Sequence, residues 1–85
     1  MPEEKIGKIK HFFSKISVAV IELTDGDLNV GDTIHIKGAT TDFTQKVESM
    51  QIEHEKLEEA KKGQAIGMKV DEVVRENDEV FKITK

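Results

Sequence analysis

Alternation of hydrophobic and polar residues is clearest between Val18 and Gly38 of this 85-residue chain. Ile34 and Ile36 fall in one phase there and His35 falls in the other, which is the period of a half-buried strand. Asp25-Gly26 separates this strand from the apolar run before it, because glycine tolerates positive φ and aspartate bonds its own backbone. The segment therefore predicts two strands connected through turns.

Similar signals recur along the whole chain. They predict six strands, near residues 5–13, 17–24, 33–37, 43–54, 64–70 and 78–84. A change of phase near Glu48-Ser49 predicts a β-bulge, and Gly31 is expected at positive φ in a turn. Residues 54–63 are expected to form a loop with, at most, one or two helical turns. The pattern predicts an all-β fold, a small six-stranded antiparallel closed barrel forming one domain over residues 1–85.

The expected core is aliphatic, and one predicted strand has apolar residues on both of its faces. The predicted core residues are Val20 or Ile21, Ile34, Ile36, Met50 or Ile52, Ile66, Met68 and Phe81. The run from Ile16 to Leu23 is apolar on both faces. If one set of these side chains faces solvent, it forms an apolar patch and a candidate docking surface. The alternative is a loop lying over it.

Two motifs carry a resemblance to a known family. The first is G-x-L-x-V-G-D-x-I-x-I-x-G, ending at Gly38, and the second runs from Val47 to Met68 as V-x-S-M-Q-I followed by A-x-x-G-Q-A-I-G-M. Together they resemble the second, β-barrel domain of translational GTPases such as elongation factor Tu and initiation factor two. A similar barrel also looks to be appended to collagenase-like peptidase-type proteins that modify tRNA.

The resemblance implies a place to look for a site. In elongation factor Tu this barrel helps to hold the aminoacyl end of tRNA. The polar positions that do so correspond to Val20, Gln51 and Ala65 of this chain. An isopropyl group, an uncharged amide and a methyl group stand there, so aminoacyl binding in that manner is not expected.

Composition narrows the class of protein. Charged residues make up 35% of the chain and aromatic residues 5%, and cysteine is absent. A chain without cysteine forms no disulfide or thiolate metal site, which favours a reducing, intracellular compartment. The N-terminal residues have no apolar region of a signal peptide, and no apolar run approaches the roughly 20 residues that span a bilayer. We expect a cytoplasmic protein without a membrane partner.

Motifs for catalysis or cofactor binding are missing from the sequence. It contains no G-x-x-x-x-G-K-[ST], so nucleotide binding is not expected. It also contains no H-E-x-x-H or C-x-x-C pattern. The segment His54-Glu55 with Glu58 and Glu59 is better explained as a solvated acidic loop than as a metal site, because a lone histidine supplies no convergent ligand set. We expect no cofactor, no metal ion and no enzymatic activity.

Basic residues concentrate near the N-terminus of a chain whose net charge is −4. Gly7, Ile9, His11 and Phe13 share one face of the first strand. If that face points inward, Lys8, Lys10 and Phe12 form an outward stripe. The predicted RNA- or partner-binding residues are Lys8, Lys10, Phe12 and Lys15, because lysines neutralise phosphates and an aromatic ring stacks on bases. The alternative is that Phe12 lies under a loop and the lysines are ordinary solvated charges.

Two functional hypotheses follow. The first is a non-catalytic, translation elongation factor-like binding module that associates with RNA, tRNA or the ribosome. The second is a protein–protein adaptor barrel that docks onto a larger translation or tRNA-modification enzyme. The acidic total favours the second hypothesis, whereas the basic N-terminal segment and the resemblance favour the first.

Overall fold

The computed structural model describes residues 3–52 and 55–83, and each regular element in them is a β-strand. The strands are β1 (Glu3–Phe13), β2 (Val18–Leu23), β3 (Leu28–Asn29), β4 (Thr33–Lys37), β5 (Asp42–Lys46), β6 (Met50–Ile52), β7 (Glu55–Leu57), β8 (Glu59–Ala60), β9 (Ala65–Lys69) and β10 (Glu79–Ile83). Within these residues no helix is long and apolar enough to cross a bilayer.

The strands pair in antiparallel fashion. Eight of them form one sheet in the order β5-β4-β10-β1-β2-β9-β6-β7, and β3 pairs with β8. The all-β, antiparallel prediction is confirmed. The prediction of six strands in a closed ring is not: over the described residues the sheet order ends at β5 and β7.

The sheet nevertheless curls far enough for β5 to meet the end of β9. The side-chain amide of Gln45 donates from Nε2 to the Lys69 carbonyl at 3.0 Å and accepts from the Asp71 N–H at 2.9 Å. One glutamine therefore joins the two strands as a peptide group would.

The same type of turn occurs three times, directly before β4, β9 and β10. The turns are residues 29–32, 61–64 and 75–78. In each, the fourth residue (Asp32, Gln64 or Asp78) donates its N–H to the first carbonyl at 3.0–3.1 Å and accepts the first N–H through its side chain at 2.8–2.9 Å. The third residue has positive φ, as in a type II turn: 100° and 96° at the two glycines, and 74° at Asn77. The prediction for Gly31 is confirmed.

Strand β1 changes phase twice, which the sequence pattern does not show. The register shifts between Lys5 and Gly7 against β10, and between Ile9 and His11 against β2. Ile6 and Ile9 are both fully buried as a result. Beyond the second shift, His11 and Phe13 point outward, so their predicted place in the core is wrong.

The core matches the prediction at most positions. Ile34, Ile36, Ile66 and Met68 are buried, and of the alternatives Ile21 and Met50 are buried, whereas Val20 and Ile52 are half-buried. Phe81 is also half-buried, so its core assignment is wrong. Its neighbour Val80 is fully buried in its place, because β10 pairs Val80 with the inward-facing Ile36.

The predicted strand 43–54 is broken rather than bulged. It consists of β5 and β6, and Val47 between them bonds outside the sheet, donating to the Asp32 carbonyl and accepting from the Gly31 N–H, each at 2.8 Å. The predicted loop that follows contains β7 and β8 instead of helical turns. His54 lies outside the described residues.

Candidate docking groove

Strand β2 has one face in the core and one on the surface. Ala19, Ile21 and Leu23 are fully buried. Val18 and Val20 lie in the opposite phase and are half-buried. Of the two alternatives for this apolar run, the described residues favour an outward-facing apolar surface over a face covered by a loop.

That outward surface forms the floor of a groove of about 470 Å³. Its lining is predominantly apolar and comes from β1, β2, β6, β9 and the turn between β1 and β2: Phe13, Ile16, Val18, Val20, Gln51, Ile52, Ala65, Ile66 and Gly67. Phe13 is 48% exposed and Ile16 is 61% exposed. Single exposed apolar residues are ordinary, but a contiguous apolar concavity marks a candidate binding surface.

Sheet register explains why these side chains meet. Val20 pairs with His11 on one side and Gly67 on the other, and Gly67 pairs with Gln51. Val18 pairs with Phe13. Paired residues point to the same face of a sheet, so four strands contribute to one surface. Val20, Gln51 and Ala65, the positions singled out by the resemblance, all line it.

The predicted binding residues do not form one stripe. Lys8 pairs with Glu22 of β2 and points outward, whereas Phe12 pairs with the buried Ala19 and packs half-buried against the core. The register shift at Lys10 separates them. The expectation that Lys8, Lys10 and Phe12 share a face is therefore wrong.

The four residues also differ in their surroundings. Phe12 and Lys15 line a second concavity of about 300 Å³ beside the groove, which shares Phe13 and Ile16 with it. Lys8 lies between Glu22 and Glu79 in register, so acidic neighbours offset its charge. Lys10 is exposed. No observation tests whether any of the four binds a partner, and that role stays a prediction.

Sequence reasoning placed Phe13 in the core, so it did not assign Phe13 to this surface. The signal that pointed to the surface was the doubly apolar run beginning at Ile16. Gly67 completes the groove: a Cβ built there would contact Val18 Cγ1 at 3.5 Å. The glycine keeps the floor open beside Val18.

The outward face of β4 differs from the groove because its polar groups are satisfied. His35 Nδ1 lies 2.7 Å from Glu3 Oε2, and Nε2 bonds Asp42 Oδ1. The imidazole is 15% exposed. The hydrogen bond to Asp42 and the contact with Glu3 raise the pKa of His35 above its ordinary value of 6.5, and partial burial opposes them. A neutral imidazole has one N–H, so the protonated ring is the form that donates to both carboxylates.

A metal-ligand cluster is absent from the described part of the chain. Over residues 3–52 and 55–83, no group of three or more histidine, cysteine, aspartate or glutamate side chains could hold a metal ion. Both ring nitrogens of His35 are taken up by carboxylates, so the ring is not placed to serve as the base for a serine or threonine nucleophile.

Comparison with known proteins gives relatives for nearly the whole chain. No family model matches. An uncharacterised protease of Methanocaldococcus jannaschii is 49% identical over 78 residues, which is 91% of this chain and 19% of that protein. A collagenase of Porphyromonas gingivalis is 41% identical over 81 residues, which is 94% of this chain and 22% of that protein. The chain thus spans about a fifth of the length of the curated relatives it matches.

A solved structure shares the fold. The C-terminal domain of a protein described as a U32 peptidase of Geobacillus thermoleovorans superposes with a TM-score of 0.88, at 20% identity, covering 95% of this chain and 93% of that one. The selenomethionine variant of the same domain gives a TM-score of 0.85. At this identity the likeness establishes the fold alone.

These findings correct the assignment to translational GTPases. Relatives that match over 91–94% of this chain are called a protease and collagenases. The interpretation as an elongation factor-like module for RNA, tRNA or the ribosome is therefore wrong, and so is the adaptor for a translation or tRNA-modification enzyme. Of the two resemblances, the one to collagenase-like proteins agrees with the comparisons.

Proposed function

We propose that this chain serves as the non-catalytic, C-terminal-type β domain of a U32 peptidase-like protein, where it binds the larger part that carries the chemistry. The observation that carries the proposal is the identity of 41–49% across nearly the whole chain with about a fifth of a protease and a collagenase. A segment that matches so completely over so small a share corresponds to one structural unit of those proteins.

The chemistry of the described residues supports a binding role. Catalysis of peptide hydrolysis requires an activated nucleophile or a metal-bound water. Cysteine is absent from the sequence, and both ring nitrogens of His35 bond carboxylates. Residues 3–52 and 55–83 contain no group of three or more side chains that could hold a metal ion. The partner we propose is therefore a protein surface rather than a nucleotide or a metal ion.

The curl of the sheet supports the finer proposal that the domain encloses its core as a barrel. The Gln45 amide bridges β5 and the end of β9. In a barrel closed partly by the Gln45 side chain, outward-facing residues surround the whole domain. Such a domain can attach to a larger protein through any part of its outer surface.

A chimera tests the proposed function. The matched 81 residues of the Porphyromonas gingivalis collagenase are replaced by this chain, and hydrolysis of collagen is measured. We expect the chimera to retain activity within roughly tenfold of its parent, because only non-reacting parts differ. The isolated chain should hydrolyse no collagen.

The matched control is a chimera that carries an unrelated β domain of similar length. It should lose activity or stability, since it lacks the surfaces that fit. Hydrolysis by the isolated chain would refute the non-catalytic role. A folded chimera without activity would refute the accessory role.

A further inference from the structure

We propose that the groove over β2 and β9 is the surface through which this domain docks onto the peptidase-like remainder of such a protein. The inference rests on the proposed function and identifies the surface that performs it. It also commits to the chemistry of the occupant: an aliphatic segment with carboxylates at its edge.

The first argument is the position of the apolar side chains. Val18 and Val20 lie on β2, which is flanked by β1 and β9 in the middle of the sheet order. Outward positions of such a strand are ordinarily polar when water covers them. Here Val18 and Val20 occupy them, and Gly67 of β9 lies beside Val20. Phe13 and Ile16 flank this surface and are 48% and 61% exposed. Covering these groups removes apolar surface from water, which favours association.

The second argument is the shape of the floor. Gly67 leaves Val18 accessible from β9, and Gln51 forms the neighbouring wall through its register with Gly67. The adjoining concavity of residues 12–16 extends the groove along the turn between β1 and β2. The surface is therefore concave rather than flat, and a concave surface can enclose more of a bound protein segment.

The third argument is charge. Lys69 pairs with Val18 and shares its face, Lys56 pairs with Gln51, and Lys15 lines the adjoining concavity. Two acidic residues pair with residues of the groove: Glu22 pairs with Ala65, and Glu55 pairs with Ile52. The register partner of Glu22 on β1 is Lys8, so lysines still outnumber carboxylates around the floor. An apolar floor with a basic rim in an acidic chain complements an aliphatic segment flanked by carboxylates.

The fourth argument is what the relatives add. They match this chain over 91–94% of its length and continue for about four-fifths of their own length beyond the match. Because the remainder would be covalently linked to this domain, its effective concentration at the groove would be high. A small contact surface is then enough to keep the two parts associated.

Thiol labelling tests the docking surface, because the chain contains no cysteine of its own. Val20→Cys places a nearly isosteric probe in the groove, and Thr44→Cys places a matched probe on the exposed outward side of β5. Each is labelled in the isolated chain and in the full-length collagenase chimera, and peptide mass spectrometry reports modification at that site.

We expect Val20→Cys to react readily in the isolated chain and at least roughly tenfold more slowly in the chimera, since labelling then requires the interface to open. Thr44→Cys should react at the same rate in both. Val20→Glu in the chimera should release the domain, giving it a separate melting transition, because the occupant would have to desolvate a new charge.

The outcomes separate the inference from the proposed function. Rapid labelling of Val20→Cys in an active chimera overturns the docking surface and leaves the accessory role standing. Slow labelling in the isolated chain, accompanied by dimers in sedimentation that Val20→Glu dissociates, assigns the groove to a second copy and also overturns the inference. Slow labelling confined to the chimera supports it even where the chimera is inactive.

Discussion

The outward faces of the two halves of the sheet are built on different principles. On the half formed by β5, β4 and β10, His35 is held between Glu3 and Asp42, and its ring lies 6.2 Å from that of Phe81. On the half formed by β2, β9 and β6, the corresponding positions are Val20, Gly67 and Gln51. On the first half, the polar side chains hydrogen-bond one another. On the second half, apolar side chains remain accessible in an open groove.

The contrast supports the proposal that a partner binds at the groove rather than at the His35 cluster. Polar groups that bond one another stabilise the domain by itself, and a partner would have to break those bonds. Apolar side chains in an open groove contribute little to the isolated domain and more once they are covered. The groove is therefore the better surface for assembly, and the His35 cluster is a brace that joins β1, β4 and β5.

The largest expected effect is at the strand that joins the two halves. Gly7 in β1 pairs with Val80 of β10 and Leu23 of β2. A Cβ there would collide with the Glu22 carbonyl oxygen and lie 3.0 Å from its carbonyl carbon, and backbone cannot move aside as a side chain does. Gly7→Ala should lower the free energy of unfolding by at least about 2 kcal/mol, measured by urea denaturation.

Gly67→Ala is the matched control for this substitution. Its Cβ would meet Val18 and Gln51 at 3.5–4.0 Å, which is ordinary contact. It should raise the free energy of unfolding by about 0.5 kcal/mol, because alanine loses less backbone entropy than glycine. Equal effects at the two glycines would show that the seam between the halves is not tightly packed.

A smaller effect is expected from breaking the polar brace. His35→Gln should lower the free energy of unfolding by about 1 kcal/mol at about pH 5.5, since two charge-assisted bonds are lost from a partly exposed site. His11→Gln is the control, because His11 is half-exposed and, among the described residues, bonds one carboxylate, that of Glu76. Chemical denaturation of the three proteins at several pH values measures both.

The pH dependence follows from the raised pKa of His35. A pKa higher in the folded than in the unfolded state adds stability that is fully present below the unfolded value of about 6.5 and is lost as pH rises through the folded value. The deficit of His35→Gln should therefore shrink as the pH rises above the unfolded value of about 6.5. A deficit that grows with pH would contradict the protonated brace.

The smallest expected effect sharpens the description of the groove. Val20→Thr should change the free energy of unfolding by less than about 0.5 kcal/mol, because Val20 already meets solvent. Ile21→Val, one residue further on, should cost about 1 kcal/mol, although it removes only a methylene from a fully buried side chain. A larger loss at Val20 than at Ile21 would make the groove part of the core.

Much of the fold could be predicted from local pattern. Alternation at Ile34, His35 and Ile36 placed β4 at its observed bounds, and the need for positive φ identified Gly31 as a turn residue. The recurrence of that turn was not predicted. Its three copies share geometry but use different residues, with Gln64 taking the place of an aspartate and Asn77 that of a glycine.

The candidate site was predicted only as one of two alternatives. The apolar residues on both faces of β2 predicted either an exposed apolar patch or a loop that covers it. The two-residue period of a regular strand assigned Phe12 and Phe13 to the wrong faces of β1. The register shift at Lys10 reverses the phase of β1, and nothing in the residues around Lys10 marks it. The shift appears only in the pairing of β1 with β2, its neighbour in the sheet order.

The sequence by itself determined the all-β class, the bounds of β4 and the turn at Gly31, because strand period and glycine conformation are local properties of the chain. The tertiary structure alone decided which face of β2 stays open and which phase β1 adopts. Both depend on the register between strands, and register is fixed by how many buried contacts the whole sheet can make at once. One shifted residue in β1 moves Phe13 from the predicted core to the rim of the groove.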